Sequence, residues 1–247
     1  MNRLSGIFLI FIIAASCSNS PPPGQLLPDD DGVLTTIFPT QASLTDDHLE
    51  IIARVRLDLP KYRIKGTCAI FRSPDGSVQI DFLHTSLFGS YREDATIFIA
   101  GDSITIQDHE RGTFMGNSET RVHLSRHFGF NIMPDDMIVF MLLGTPRRED
   151  LAGALVSVSG GRRTLTGEWL GRLLEIESED GRGPIRIRIC SLDGKACYEA
   201  RYRYESTAGP GGYPERIICE RMGGSERLSM TVESVGAIGG ASAKKMD

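Results

Sequence analysis

Five histidines, five cysteines and one serine behind a Gly-Asp pair are the residues of this 247-residue chain whose types could carry chemistry. His123 and His127 stand four apart, a spacing that brings two imidazoles to one side of a helix and could hold a metal. No carboxylate lies between them in the H-E-x-x-H manner, and Arg121 and Arg126 load the same stretch with positive charge. A solvated helix face is the expected role, and neither a metal nor a cofactor is expected. Ser103 follows Gly101-Asp102. For a serine to attack, a histidine must take its proton and an acid must orient that histidine. The one Asp-x-x-His pair, Asp81 and His84, lies upstream, and no histidine follows His127. Besides Cys17, the cysteines are Cys68, Cys190, Cys197 and Cys219, which allow three pairings. A two-residue turn at Asp193-Gly194 sets 190 opposite 197, within the range of a disulfide. The alternative there is two buried thiols.

Cys17 belongs to a different context. Arg3 gives a positive start, Leu4 to Ile13 form an almost unbroken apolar run, and Ala14, Ala15 and Ser16 precede the cysteine. That is the order of a secretory signal, and the run falls short of the roughly 20 residues that span a bilayer. A cysteine directly after small residues resembles the lipobox of bacterial lipoproteins. The resemblance implies cleavage before Cys17, acylation of its thiol and anchoring by several chains, each buried CH₂ contributing about 0.8 kcal/mol. Ser18, where an Asp would signal inner-membrane retention, points to the periplasmic face of the outer membrane, with the inner membrane as the alternative. The block from Phe98 to Thr105 resembles the strand and G-D-S segment of SGNH esterases. It lacks their downstream Asp-x-x-His, and a strand–Gly-Asp–strand turn accounts for it.

A signal over 1–16 leaves a chain long enough for one large domain or two small ones. Its net charge of −5 argues against nucleic acid as the main partner. Residues 17–44, with Pro21, Pro22, Pro23, Pro28, Asp29, Asp30, Asp31 and Pro39, read as the lipidated cysteine and an extended tether. Thr45 as N-cap, with Leu49, Ile52 and Val55 at three-residue spacing, predicts an amphipathic helix over 46–57. Strands are predicted at 62–71, 78–87, 95–100 and 104–107. Helices follow at about 118–128 and from Pro134 to Gly144. Strands resume at 153–159, 163–169, 171–177, 184–191, 196–204, 214–220 and 226–233, separated by turns such as Gly160-Gly161 and Gly223-Gly224. The domain is expected to span 45–235, with a flexible tail over 236–247. So long a meander must close, curl or cover its edges, and the central helices are the expected cover.

The order of these pieces resembles the LolB family of outer-membrane lipoproteins, members of the LolA/LolB fold family. The residues that carry the resemblance are Ser86-Leu87-Phe88-Gly89-Ser90, then His127-Phe128-Gly129-Phe130, Ile132-Met133-Pro134 and Leu142-Leu143-Gly144-Thr145-Pro146. Tyr213-Pro214-Glu215-Arg216-Ile217 and the strand after it complete the set. The chain reads one hairpin shorter than that family before residue 86. The resemblance implies a mainly β fold, an open antiparallel half-barrel covered by central helices, with an apolar cavity between them. It implies acyl chains or lipidated proteins as cargo, a LolA-like carrier as partner and no catalysed reaction. Phe130, Met133, Met137, Met141 and Trp169 are its candidate cavity residues, Met133, Met137 and Met141 sharing one side of a helix. Leu87 and Phe88 are its candidate membrane contacts. The rival readings are an envelope-assembly lipoprotein that keeps the fold without cargo, and an esterase built on Ser103.

Overall fold

The computed structural model describes residues 25–26, 32–38, 48–58, 63–85, 91–100, 103–108, 112–117, 146, 148–151, 153–180, 182–204 and 212–238. In chain order the elements are β1 (Gln25–Leu26), α1 (Gly32–Ile37), β2 (His48–Asp58), β3 (Arg63–Arg72), β4 (Val78–Thr85), β5 (Tyr91–Ala100), β6 (Ser103–Asp108) and β7 (Gly112–Asn117). A short 3-10 helix (Arg148–Leu151) follows, then β8 (Leu155–Ser159), β9 (Arg162–Trp169), β10 (Arg172–Glu179), β11 (Gly183–Ser191), β12 (Cys197–Arg203), β13 (Arg216–Arg221) and β14 (Arg227–Ile238).

All fourteen strands make one antiparallel sheet, in the order β1-β8-β9-β10-β11-β12-β13-β14-β2-β3-β4-β5-β6-β7. Two meanders, β8 to β14 and β2 to β7, are therefore joined where the last strand pairs with an early one, Met230 opposite Val55 and Ile238 opposite His48. Among the described residues the sheet is not closed on itself; β1 and β7 stand at its two ends. Register shifts at Phe82/Leu83, Glu177/Ser178 and Val232/Ser234 break the regular ladder, and such bulges bend a strand and raise its twist.

The stretch expected as a helix over 46–57 is a strand. Leu49, Ile51, Ala53, Val55 and Leu57 are buried, while Arg54 and Arg56 between them are exposed. Alternation at period two is the signature of a strand with one face in the core. The three-residue stripe of Leu49, Ile52 and Val55 is incidental, and β-branched Ile51, Ile52 and Val55 favour the extended form. As a strand this segment builds the β2–β3 hairpin that a helix there would remove.

The expected tether also holds structure. Gln25 and Leu26 pair with Val156 and Leu155, and Leu34, Ile37 and Phe38 around α1 are buried. Burying such side chains is worth about 1.5–3 kcal/mol each, which holds a helix too short to persist alone. At the other end β14 continues to Ile238 beside β2, so residues 236–238, expected in the tail, belong to the sheet. The predicted helices at 118–128 and 134–144 lie outside the described residues, as do Cys17, Leu87, Phe88, Phe130, Met133, Met137 and Met141.

One sheet face carries the core. Leu165, Leu174, Ile176, Ile187, Ile189, Ala200, Ile217, Leu228, Met230, Ile51, Ile70, Ile80 and Ile106 belong to a single buried cluster that α1 joins through Leu34, Ile37 and Phe38. Gly167, in phase with Leu165 and Trp169, lets the chain after the 3-10 helix press onto this face. A Cβ there would stand 2.8 Å from that of Ala154.

Across β10 to β12 the opposite face is a lattice of charge. Arg186 contacts Glu175 and donates to Glu177 at 2.8 Å; Arg188 and Arg201 donate to Glu199 at 2.8 and 2.7 Å. Exposed pairs contribute little, but the Glu199 side chain is only 7% exposed beneath its arginines. Burial pushes its carboxyl pKa up, and the hydrogen bonds from Arg188 and Arg201 more than reverse this, leaving it below the ordinary glutamate value of 4.5. A carboxyl with a depressed folded-state pKa adds stability that is present above its unfolded value and lost as pH falls through the folded one. Stability should therefore decline as the pH drops below about 4.5. Glu199→Gln should lower stability at neutral pH and flatten that acid decline. Denaturant melts of both proteins between neutral and acid pH check it, and parallel curves would refute it.

Candidate functional site

The candidate site is the apolar face itself, and its polar exceptions. A strand whose inward phase reads Leu174, Ile176, Ser178 ends on a hydroxyl, and one that reads Tyr198, Ala200, Tyr202 ends on a phenol. Ser178 and Tyr202 are buried, and neither Ser178 Oγ nor Tyr202 Oη has a hydrogen-bond partner among the described residues. A buried hydroxyl without a partner costs about 1–3 kcal/mol, so such groups ask for an explanation.

Both sit towards one end of the sheet. Ser178 is opposite Pro184 at the start of β11, and Tyr202, near the end of β12, is opposite Ile217. Tyr204, two residues on, donates to the Pro184 carbonyl at 2.9 Å. Tyr213 packs against the same cluster. Arg72, the last residue of β3, continues the inward phase of Cys68 and Ile70 and lies opposite Leu49. Burial lowers the Arg72 pKa, with Tyr213 acting the other way. Burial holds the phenols of Tyr202, Tyr204 and Tyr213 above their ordinary value, so all three are protonated at neutral pH. The thiol of Cys68, buried nearby, is pushed up to about 12 by burial, which removes it as a nucleophile.

Of the residues singled out from sequence, Trp169 lies in the buried cluster, 4% exposed, with the Arg172 guanidinium 5.0 Å from its ring centroid. That is cation–π distance. Trp169 is opposite Arg172 across the Leu170-Gly171 turn, whose φ values of 50° and 69° fit the positive φ at both central positions of a type I′ turn. A disulfide joins Cys190 and Cys197, which are opposite one another on β11 and β12. Both face away from the core phase set by Ile189 and Tyr198. Cys68 and Cys219 are buried and not disulfide-bonded to one another.

Ser103 opens β6 and is exposed, paired with Ala100 across the hairpin. Asp81 accepts from Gln79 and Thr96, and Thr96 pairs with Gln107, four residues from Ser103. That is about 13 Å along a strand, and His84 lies further still in the same direction, so the structure does not bring this trio together. Among the described residues no group of three potential metal ligands occurs, and no helix is long and apolar enough to cross a membrane.

Sequence reasoning missed Ser178, Tyr202 and Arg72. The available signal was phase: each is a polar residue at a position where strand alternation demands an apolar one.

No family model matches the chain, and no curated protein matches it in sequence. Solved structures do match in shape. A domain from Vibrio parahaemolyticus named for outer-membrane lipoprotein sorting superposes with a TM-score of 0.59 at 8% identity, over 85% of this chain and 94% of that one. A DUF1329 family protein from Desulfovibrio piger gives 0.51 at 8% identity, over 85% and 93%. A LolA superfamily protein from Nitrosomonas europaea gives 0.48 at 13% identity, over 81% and 92%. At such identities the likeness is one of fold, and the fold of this chain is similar to that of the lipoprotein-sorting domain.

Proposed function

We propose that this chain is a LolB-like envelope lipoprotein, anchored through lipid on Cys17 at the periplasmic face of the outer membrane. Its apolar sheet face holds acyl chains or the lipid of a lipidated partner. A LolA-like carrier is the proposed donor, Leu87 and Phe88 are the proposed membrane contacts, and no catalysed reaction is proposed. The observation that carries this reading is the one-sidedness of an unclosed fourteen-strand sheet, on a fold similar to a domain named for lipoprotein sorting. A sheet that is apolar on one side and carries a lattice of charge on the other across β10 to β12 suits a protein that holds an apolar cargo in water.

The same face favours a second reading. Ile51, Ile70, Ile80 and Ile187 are fully buried, as in a protein that fills its own concavity and serves envelope assembly without cargo. One experiment separates them. The full-length chain purified from its own envelope should carry acyl lipids or a lipidated protein detectable by mass spectrometry. Lipid found only on Cys17 would reject the cargo reading. Cys17→Ala should in addition move the protein from the membrane fraction to the soluble one, since the anchor is lost. Unchanged fractionation would reject the anchor.

A further inference from the structure

We infer that Tyr202 and Arg72 form a head-group seat at one end of the apolar face, selecting an amphiphile whose head is an anion, a carboxylate or a phosphate. This rests on the acyl-binding reading above and specifies its ligand.

Three observations support it. The Tyr202 hydroxyl is buried, points into the apolar side of the sheet and has no hydrogen-bond partner among the described residues. Protonated, as its raised pKa keeps it, it is a donor waiting for an acceptor. Arg72 is a cation in the inward phase of β3 and forms no ion pair among the described residues, whereas Arg56, Arg63, Arg186, Arg188, Arg201 and Arg221 all have carboxylates. A partly desolvated guanidinium without an anion is costly, and is a strong seat for a carboxylate or phosphate. Tyr213 ties the two together, since it interacts electrostatically with both Arg72 and Tyr202. The face beside and beyond Tyr202 is aliphatic, with Ile217 directly opposite it and Ile187, Ile189 and Leu228 farther from this end, all buried, which suits a hydrocarbon chain. Ser178, two strands from Tyr202 at the same end, adds a second hydroxyl donor.

The test is displacement of the neutral dye N-phenyl-1-naphthylamine from the full-length chain by three amphiphiles with one chain length: oleate, oleoyl lysophosphatidate and oleyl alcohol. The two anions should displace the dye at concentrations roughly tenfold or more below that of the alcohol, the scale of a charged hydrogen bond. Whichever anion displaces it better identifies the head as carboxylate or phosphate. Arg72→Gln and Tyr202→Phe should each erase most of that preference and leave displacement by oleyl alcohol unchanged. Arg72→Lys, which keeps the charge, should retain much of it and controls for misfolding. Equal displacement by anions and alcohol in the unaltered chain, or a preference that survives both substitutions, overturns the seat while leaving acyl binding intact. Displacement by none of the three overturns acyl binding as well.

Discussion

Trp169→Ala should destabilise the protein by about 3–5 kcal/mol, the cost of removing a buried aromatic and leaving a void. The side chain is 4% exposed within the single buried cluster, and the Arg172 guanidinium lies over its ring. Truncation therefore forfeits core packing and the ring contact with the Arg172 guanidinium. At this chain length the loss corresponds to a fall in melting temperature of roughly 6–20 °C. Trp169 is the single tryptophan, so the melt must be followed by circular dichroism rather than intrinsic fluorescence. Trp169→Phe should recover a good part of the loss, because it restores an aromatic ring of smaller volume. A wall of an open cavity behaves differently: shortening it enlarges the cavity and changes ligand affinity while the melting temperature barely moves. A fall of less than about 2 °C for Trp169→Ala, which at this size is under 1 kcal/mol, would show that this residue lines open space.

Where alternation and turn chemistry agreed, the strands were legible in the sequence. The predicted 163–169, 184–191 and 214–220 match Arg162–Trp169, Gly183–Ser191 and Arg216–Arg221 closely, because each run is bounded by residues that stop a strand. Other elements gave no local signal. β7 spends two of its six positions on Gly112 and Gly116, which weaken strand propensity. α1 is six residues long, and nothing in so short a segment nucleates a helix without the core it packs on.

The site was legible to a different degree. The cross-strand neighbours Cys190 and Cys197 could be placed by counting from one turn, since hairpin register is a local property. For Tyr202 and Arg72 phase marks only a polar residue on an inward position, and what sets them apart further is the absence of a partner among the described residues. That depends on strands far away in sequence: β12 and β3 meet the same cluster only because β14 pairs with β2, and no local pattern announces that pairing.

The sharpest test of that central pair of strands compares two adjacent isoleucines. Under strand periodicity Ile51 points into the core and is fully buried, while Ile52 lies on the opposite face and is partly exposed. Under helical periodicity the ranks reverse, since Ile52 occupies the middle of the Leu49–Val55 stripe and Ile51 only widens it. Ile51→Ala should cost about 2–5 kcal/mol, the range for truncating a well-packed isoleucine. Ile52→Ala should cost less than about 1 kcal/mol, because it loses part of a half-exposed surface and opens no cavity. The size of the gap follows from location: β2 lies between β14 and β3, opposite Val235 and Ile70 at the level of Ile51. A void there is walled by strands of both meanders and cannot easily collapse. Urea unfolding of the two variants gives both values directly. Equal losses, or a larger one for Ile52→Ala, would mean that this segment does not join the meanders as a strand.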